Sequence, residues 1–230
     1  MLILALDTTS RAGSVAIVRG ADVLVEFAGD DAMTHGQRLP AALAEACERA
    51  AVPVGAIDLL AVAAGPGSFT GLRIGIATMQ GLATALGIRI VPVSTLEAIA
   101  AADAGDANRV AAWIDAHRGE VFAQVFERTA AGATALVQAM AGPPPGVLAA
   151  HAAVLRGAAF HGDGAVRYQA EIRRASPGAL IAGSTPLLAG ALGRVAAAHP
   201  DRAVPPHGVI PIYVRRPDVE VARERQRQDP

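Results

Sequence analysis

The same order of secondary-structure signals occurs twice along this chain of 230 residues. Three short β-rich runs between residues 2 and 27 come first, and helix and strand signals then alternate up to residue 102. A second copy begins near residue 105 and opens with another hairpin. The duplicated β-β-β-α-β-α pattern predicts an α/β architecture with two mixed sheets and a ligand cleft between its halves. We therefore expect one subdomain over residues 1–104 and another over 105–230.

Composition excludes several classes of protein. The formal net charge is −1, so the overall balance gives no sign of a chain that grips nucleic acid alone. The one cysteine, Cys47, allows neither an internal disulfide nor a cysteine zinc cluster. The apolar start lacks a basic lead-in, and no apolar run is long enough to span a membrane. We expect a cytoplasmic protein with no membrane contact.

Two helices are predicted in the first half, over residues 34–51 and 70–86. Leu39, Leu43 and Cys47 recur at helical spacing on the first of them and form an apolar face. Cys47 on this face is interpreted as a core or interface residue rather than a nucleophile. In the second half, helices are predicted over 147–156 and 184–198.

The polar turn Asp7-Thr8-Thr9-Ser10 follows a buried strand. Its carboxylate, hydroxyls and backbone N–H groups could hold a phosphate or a magnesium ion. A plain Asx or ST turn is the alternative, and these residues alone favour it.

A glycine-rich turn, Gly65-Pro66-Gly67-Ser68, leads into the second helix. Free N–H groups at that helix start could bind an anion. The turn lacks the Lys-Ser/Thr ending of a P-loop, and it is not a nucleophile elbow. Because Gly71, Gly75 and Gly81 weaken the helix by about 1 kcal/mol each relative to alanine, we favour the alternative that another backbone packs closely against it.

Asp115 occupies the turn of the second hairpin, as Asp7 follows the first strand. If the halves are related by duplication, both carboxylates point into the shared cleft. That layout would also suit an ATP-dependent phosphotransferase with Asp7 as magnesium ligand and Asp115 near the transferred phosphate. A hairpin turn rich in polar residues is the alternative.

The six histidines show neither HxxxH nor HxH spacing, so no helical metal pair is predicted. A metalloprotease would lack its ligands. From Arg215 onward, arginines alternate with acidic residues, which is typical of a solvated, partly disordered end.

Six segments resemble those of bacterial TsaB (YeaZ) proteins in order and spacing: LALDTTS, HGQRLP, AGPGSFTGLRIGIATMQGLA, VSTLEA, IDAHRGEVFAQVF and PIYVRRPD. The resemblance spans nearly the whole chain and implies an actin-like ATPase fold of two RNase H-like subdomains. It also implies a non-catalytic subunit of the machinery that forms threonylcarbamoyladenosine in tRNA beside the anticodon. No cofactor of its own is implied, and nucleotide binding stays open; Asp7, Thr8, Thr9 and Asp115 would then be vestigial phosphate-turn positions.

The family resemblance further implies partners. These are the catalytic relative TsaD, in a heterodimer, and the ATPase TsaE, with tRNA reached through the complex and a homodimer when the chain is alone. Thr95 and Ile99 stand where TsaD carries the two histidines that hold its metal, and neither side chain replaces an imidazole. Pairing through the two N-terminal helices implies ten interface residues: His35, Leu39, Leu43, Cys47, Gly71, Arg73, Ile74, Gly75, Thr78 and Met79.

Overall fold

Two mixed β-sheets form the framework of the protein, which a computed structural model describes for residues 1–102, 107–129 and 132–215. The first sheet orders its strands as β3 (Asp22–Ala28), β2 (Ser14–Arg19), β1 (Leu2–Asp7), β4 (Leu59–Gly65) and β5 (Ile90–Ser94). The second orders its strands as β11 (Leu180–Ile181), β10 (Ala159–His161), β6 (Arg109–Asp115), β7 (Val121–Thr129) and β8 (Gly132–Ala135), and β9 (Met140–Gly142) pairs with β7. In both sheets an antiparallel hairpin continues into parallel strands. The predicted duplication and the mixed character of both sheets are thus confirmed.

In the first half, three strands come first and helices and strands then alternate, as the sequence predicts. They are β1 (Leu2–Asp7), β2 (Ser14–Arg19), β3 (Asp22–Ala28), α1 (His35–Arg49), β4 (Leu59–Gly65), α2 (Phe69–Leu86), β5 (Ile90–Ser94) and α3 (Thr95–Ala101). Every residue of β4 is buried, which explains its unbroken apolar run, because it lies centrally in the sheet with layers on both faces. Thr34 and Gln37 form a capping box that starts α1.

The second half repeats this order with shorter elements. They are β6 (Arg109–Asp115), β7 (Val121–Thr129), β8 (Gly132–Ala135), β9 (Met140–Gly142), α4 (Pro144–Ala150), β10 (Ala159–His161), α5 (Asp163–Arg167), α6 (Gln169–Ala175), β11 (Leu180–Ile181) and α7 (Ala189–Ala198). The chain then makes 3-10 turns at Pro200–Arg202 and Pro206–Gly208.

The last helix of each half lies on the sheet of the other half. Helix α3 packs mainly against β6, β7 and β8, whereas α7 packs mainly against β1, β2 and β4. The two helices also contact each other, so the central apolar cluster contains residues of both sheets. Helices α1 and α2 cover the outer face of the first sheet, and α4 and α6 cover the outer face of the second.

Several predicted bounds differ from the structure. The helix expected over 147–156 begins at Pro144 and ends at Ala150, because Pro143, Pro144 and Pro145 occupy the cap and the first helical positions, where a missing N–H costs least. The helix expected over 184–198 begins at Ala189. Helices α5 and α6 and strand β11 had no counterpart in the sequence interpretation.

The predicted boundary between residues 104 and 105 falls within 103–106, outside the described residues, and stays a prediction. The charged tail beyond Arg215 lies outside them too. Among the residues that the structure describes, no helix is long and apolar enough to cross a membrane.

Candidate functional site

A cleft of about 740 Å³ opens between the two halves. Its first wall contains the turn after β1, the loop before α1 and the start of α2. Its second wall contains the end of β6, the start of α5 and Arg215. The sequence prediction of a cleft between the halves is therefore confirmed.

The turn after β1 does not present its carboxylate to the cleft. Asp7 is only 4% exposed and is absent from the cleft wall. Its Oδ1 atom accepts hydrogen bonds from the backbone N–H of Thr9 (2.8 Å) and from the Thr9 hydroxyl (2.6 Å). Burial raises the pKa of the Asp7 carboxyl, and the two bonds from Thr9 act against that rise. The plain Asx turn describes this geometry, and the expectation that Asp7 points into the cleft is wrong.

Thr8 is withdrawn from the cleft as well, whereas Thr9 and Ser10 of the same turn line the wall. Thr8 is fully buried, and its hydroxyl has no hydrogen-bond partner among the described residues. Thr8 is buried because helix α2 packs closely against it. A Cβ atom built on Gly71 would overlap the carbonyl oxygen of Thr8, and one built on Gly75 would overlap its side chain.

The glycines of α2 therefore serve contacts inside the chain. The prediction of close backbone packing is confirmed at Gly71, where the neighbour is the backbone of Thr8. At Gly75 the neighbour is a side chain, and at Gly81 an added Cβ would meet nothing within 4 Å. Ser68 caps the helix by accepting a hydrogen bond from the N–H of Gly71 (3.2 Å).

A buried arginine fastens the first turn to α1. Arg38 is 6% exposed and donates hydrogen bonds to the carbonyl oxygens of Asp30, Arg11 and Ala12. Its guanidinium lies 2.8 Å from Nδ1 of His35, whose Nε2 lies 3.1 Å from the carbonyl oxygen of Ser10. Desolvation and the adjacent guanidinium lower the pKa of His35. This network shapes the first wall of the cleft.

The turn that begins at Asp115, after β6, is held by the carboxylate of Asp163, which the sequence did not single out. Asp163, at the start of α5, accepts hydrogen bonds from the backbone N–H groups of Asp115 (3.0 Å) and Gly164 (2.8 Å). Asp115 in turn accepts from the N–H of His117 (3.0 Å) and lies 3.4 Å from Arg167. Desolvation raises the pKa of Asp163. Asp115 lines the cleft, as predicted.

The signal for this missed element was present in the sequence as Gly162-Asp163-Gly164. Both glycines lie where a Cβ atom would collide with backbone at the end of β6: Gly162 against Trp113, and Gly164 against Ile114 and Asp115. Gly162 also has a positive φ of 103°. Two such glycines around a carboxylate indicate close packing of α5 on the strand end.

The expected partner-interface residues divide into two groups. Six are buried in the chain's own core or against its first turn, because they form the inner faces of α1 and α2: Leu39, Leu43, Cys47, Gly71, Gly75 and Met79. These six are corrected to internal packing positions. The other four are partly or fully exposed: His35, Arg73, Ile74 and Thr78.

The two positions at which the family resemblance predicted the loss of metal-binding histidines lie in the core. Thr95 and Ile99 are each 1% exposed, and neither lines the cleft. The described ranges also contain no group of three or more His, Cys, Asp or Glu side chains placed to hold a metal ion.

Two mixed sheets of matching topology, with a cleft at the ends of β1 and β6, define an α/β protein of the actin-like, RNase H-like class. The family model described as TsaD, tRNA N6-adenosine threonylcarbamoyltransferase, matches residues 30–147, just over half of the chain. The chain belongs to this family, in its TsaB (YeaZ) branch.

Individual relatives agree with that placement. The chain is 38% identical over 130 residues to the tRNA threonylcarbamoyladenosine biosynthesis protein TsaB of Escherichia coli, an alignment that covers 56% of each protein. It is 33% identical to an uncharacterized protein of Mycobacterium bovis, over 95% of this chain and 93% of that one. YeaZ from Pseudomonas aeruginosa superimposes with a TM-score of 0.77 at 29% identity, covering 92% of this chain and all of that one.

Proposed function

We propose that this chain is a non-catalytic partner of a TsaD-type threonylcarbamoyltransferase and takes part in forming threonylcarbamoyladenosine in tRNA. The main support is the combination of TsaB-named relatives with the withdrawal of Asp7 from the cleft. Asp7, the expected magnesium ligand, is enclosed by Thr9 and the protein core. The TsaE ATPase is the proposed further partner, and a homodimer is proposed for the chain alone.

The phosphotransferase alternative is disfavoured by the same observation. A catalytic carboxylate must reach the metal or the reacting phosphate, and Asp7 is neither in the cleft wall nor exposed. Weak nucleotide binding at the cleft remains compatible with a scaffold, because Thr9, Ser68 and Asp115 do line it.

The exposed face of α2 is the proposed contact for TsaD. Arg73, Ala77 and Gly81 are exposed and recur every four residues, so they lie on one stripe of the helix. Ile74 and Thr78 border this stripe and are partly exposed. Small side chains at positions 77 and 81 allow a second helix to approach closely.

A pair of glycine variants tests this contact. The chain is co-expressed with TsaD from the same organism, and the complex is measured by size-exclusion chromatography with light scattering. Gly81→Leu should prevent a stable complex while leaving the isolated chain folded, because the added side chain points into open space. Gly146→Leu is the matched control, since Gly146 is an exposed helical glycine of α4 with equal room around it.

Three results would count against the proposal. The unchanged chain failing to bind TsaD would remove the partnership. Normal pairing by Gly81→Leu would move the contact away from α2. ATP turnover by the isolated chain, lost in Asp7→Asn, would favour the phosphotransferase.

A further inference from the structure

Two of the eight aromatic side chains are exposed, and they touch each other. Phe69, the first residue of α2, is 48% exposed, and Tyr213 is 43% exposed. Their ring centroids lie 5.7 Å apart at an interplanar angle of 35°. Arg73 stacks its guanidinium 3.9 Å from the centroid of Phe69 and places Nε 3.5 Å from the Tyr213 hydroxyl. We call these three residues the aromatic–arginine cluster.

The cluster is held in place by the chain segment that follows the last 3-10 turn. The N–H of Ile212 donates to the carbonyl oxygen of Ala64 near the end of β4 (2.7 Å). Arg215 anchors the other end of the segment by donating to Glu120 (2.7 Å) and to the carbonyl oxygen of Ala116 (3.0 Å). Tyr213 lies between these two anchors. A partner that binds the cluster therefore meets a preorganised surface and avoids much of the ordering cost of association.

The cluster also continues the exposed stripe of α2. Phe69 and Arg73 precede Ala77 and Gly81 at the same four-residue spacing, so all four share one face of the helix. At 1.5 Å per residue, the stripe extends about 18 Å from the cluster to Gly81. One partner helix lying along α2 would reach both ends.

We propose that the aromatic–arginine cluster is the anchor of the protein–protein contact, with the small-residue part of the stripe allowing close approach. This inference rests on the proposed function and adds to the same interface Phe69, at the start of α2, and Tyr213, which lies outside the helices. The partner would offer an apolar side chain to the two rings and a carboxylate or carbonyl oxygen to Arg73. Aromatic and arginine side chains at such positions commonly supply a large share of binding energy.

The surroundings favour a protein over RNA as the occupant. Ile212, which precedes Tyr213 in the chain, is 39% exposed and offers aliphatic surface that a protein partner can cover. The formal net charge of the chain is −1, and nucleic-acid binding relies on neutralising phosphates. An exposed aromatic pair with a stacked arginine has the composition typical of the core of a protein–protein contact.

The test measures affinity for immobilised TsaD by biolayer interferometry. Phe69→Ala and Tyr213→Ala should each weaken binding roughly 10- to 100-fold. Leu180→Ala is the control, because Leu180 is a 68% exposed apolar side chain of β11, outside the cluster, and its removal should leave affinity unchanged. Thermal unfolding of each variant confirms that the isolated chain stays folded.

The outcomes separate this inference from the proposed function. Affinities within twofold of the unchanged chain for both ring variants, with complex loss in Gly81→Leu, would overturn the anchor and leave the partnership intact. Unchanged TsaD affinity with reduced tRNA retention by the complex would assign the cluster to RNA and overturn the inference. An unchanged chain that does not bind TsaD would overturn both.

Discussion

Two glycines of the same helix should respond in opposite ways to an added methyl group. In Gly81→Ala the new Cβ meets open space, so the variant should gain about 0.5–1 kcal/mol from improved helix propensity. In Gly75→Ala the same gain is outweighed, because the new Cβ overlaps the side chain of fully buried Thr8. Overpacking of this kind costs about 3 kcal/mol, which leaves a net loss of about 2 kcal/mol.

Urea unfolding measures both variants against the unchanged chain. The expected separation between them is about 3 kcal/mol, or about 6–12 °C in melting temperature for a chain of this size. A second substitution, Thr8→Ala, should recover part of the loss in the Gly75→Ala background, because it removes the hydroxyl that the new methyl group strikes. That hydroxyl has no hydrogen-bond partner among the described residues, so its removal breaks no bond there.

The reasoning would be refuted if Gly75→Ala proved as stable as Gly81→Ala. It would also fail if Thr8→Ala and Gly75→Ala combined additively, because residues in direct contact should show a coupling energy. A stable Gly75→Ala chain that no longer paired with TsaD would restore Gly75 to the partner interface.

Three further substitutions test the contacts that support the turn after β1 and the start of α2. Burial raises the pKa of Asp7 in the folded state, so the charged carboxylate destabilises the fold at any pH above the ordinary pKa of 3.8. The Asp7→Asn variant should therefore have a higher melting temperature than the unchanged chain at pH 8, and this difference should vanish below pH 3.8. A lower melting temperature at pH 8 would show instead that the fold needs the charge. Arg38→Ala should lose about 2–4 kcal/mol in urea unfolding, because three backbone carbonyls lose their donor; a loss under 1 kcal/mol would contradict this. Ser68→Ala should lose about 1 kcal/mol as the cap of α2 disappears, and no change would show that the cap is dispensable.

The sequence was informative where a pattern depends on nearby residues. Apolar runs located β1, β4 and the hairpins, and their repetition predicted two mixed sheets and the cleft. The glycines of α2 predicted a close neighbour correctly at Gly71. They could not identify that neighbour, because Thr8 lies 63 residues away from Gly71 in the sequence. At Gly75 we expected a helix of a partner protein, but the structure shows a contact with Thr8 of the same chain.

Long-range contacts explain the remaining differences. Ser94 and Glu97 have the spacing of a capping box, but Ser94 makes no side-chain cap and Glu97 accepts a hydrogen bond from Arg202 (2.7 Å). Asp7 and Asp115 end equivalent strands, yet only Asp115 reaches the cleft, because Thr9 folds back onto Asp7. Helix α5 has five residues, too few for a periodic apolar signal.

The exchange of helices α3 and α7 between the halves limits how the molecule can move and be divided. Swinging one half outward about a hinge would strip α3 or α7 from the sheet that it covers, exposing apolar surface of the central cluster. The width of the cleft between the two halves should therefore stay nearly constant when a ligand binds. For the same reason, a chain cut between residues 102 and 107 should yield fragments that fold only when mixed, each completing the other.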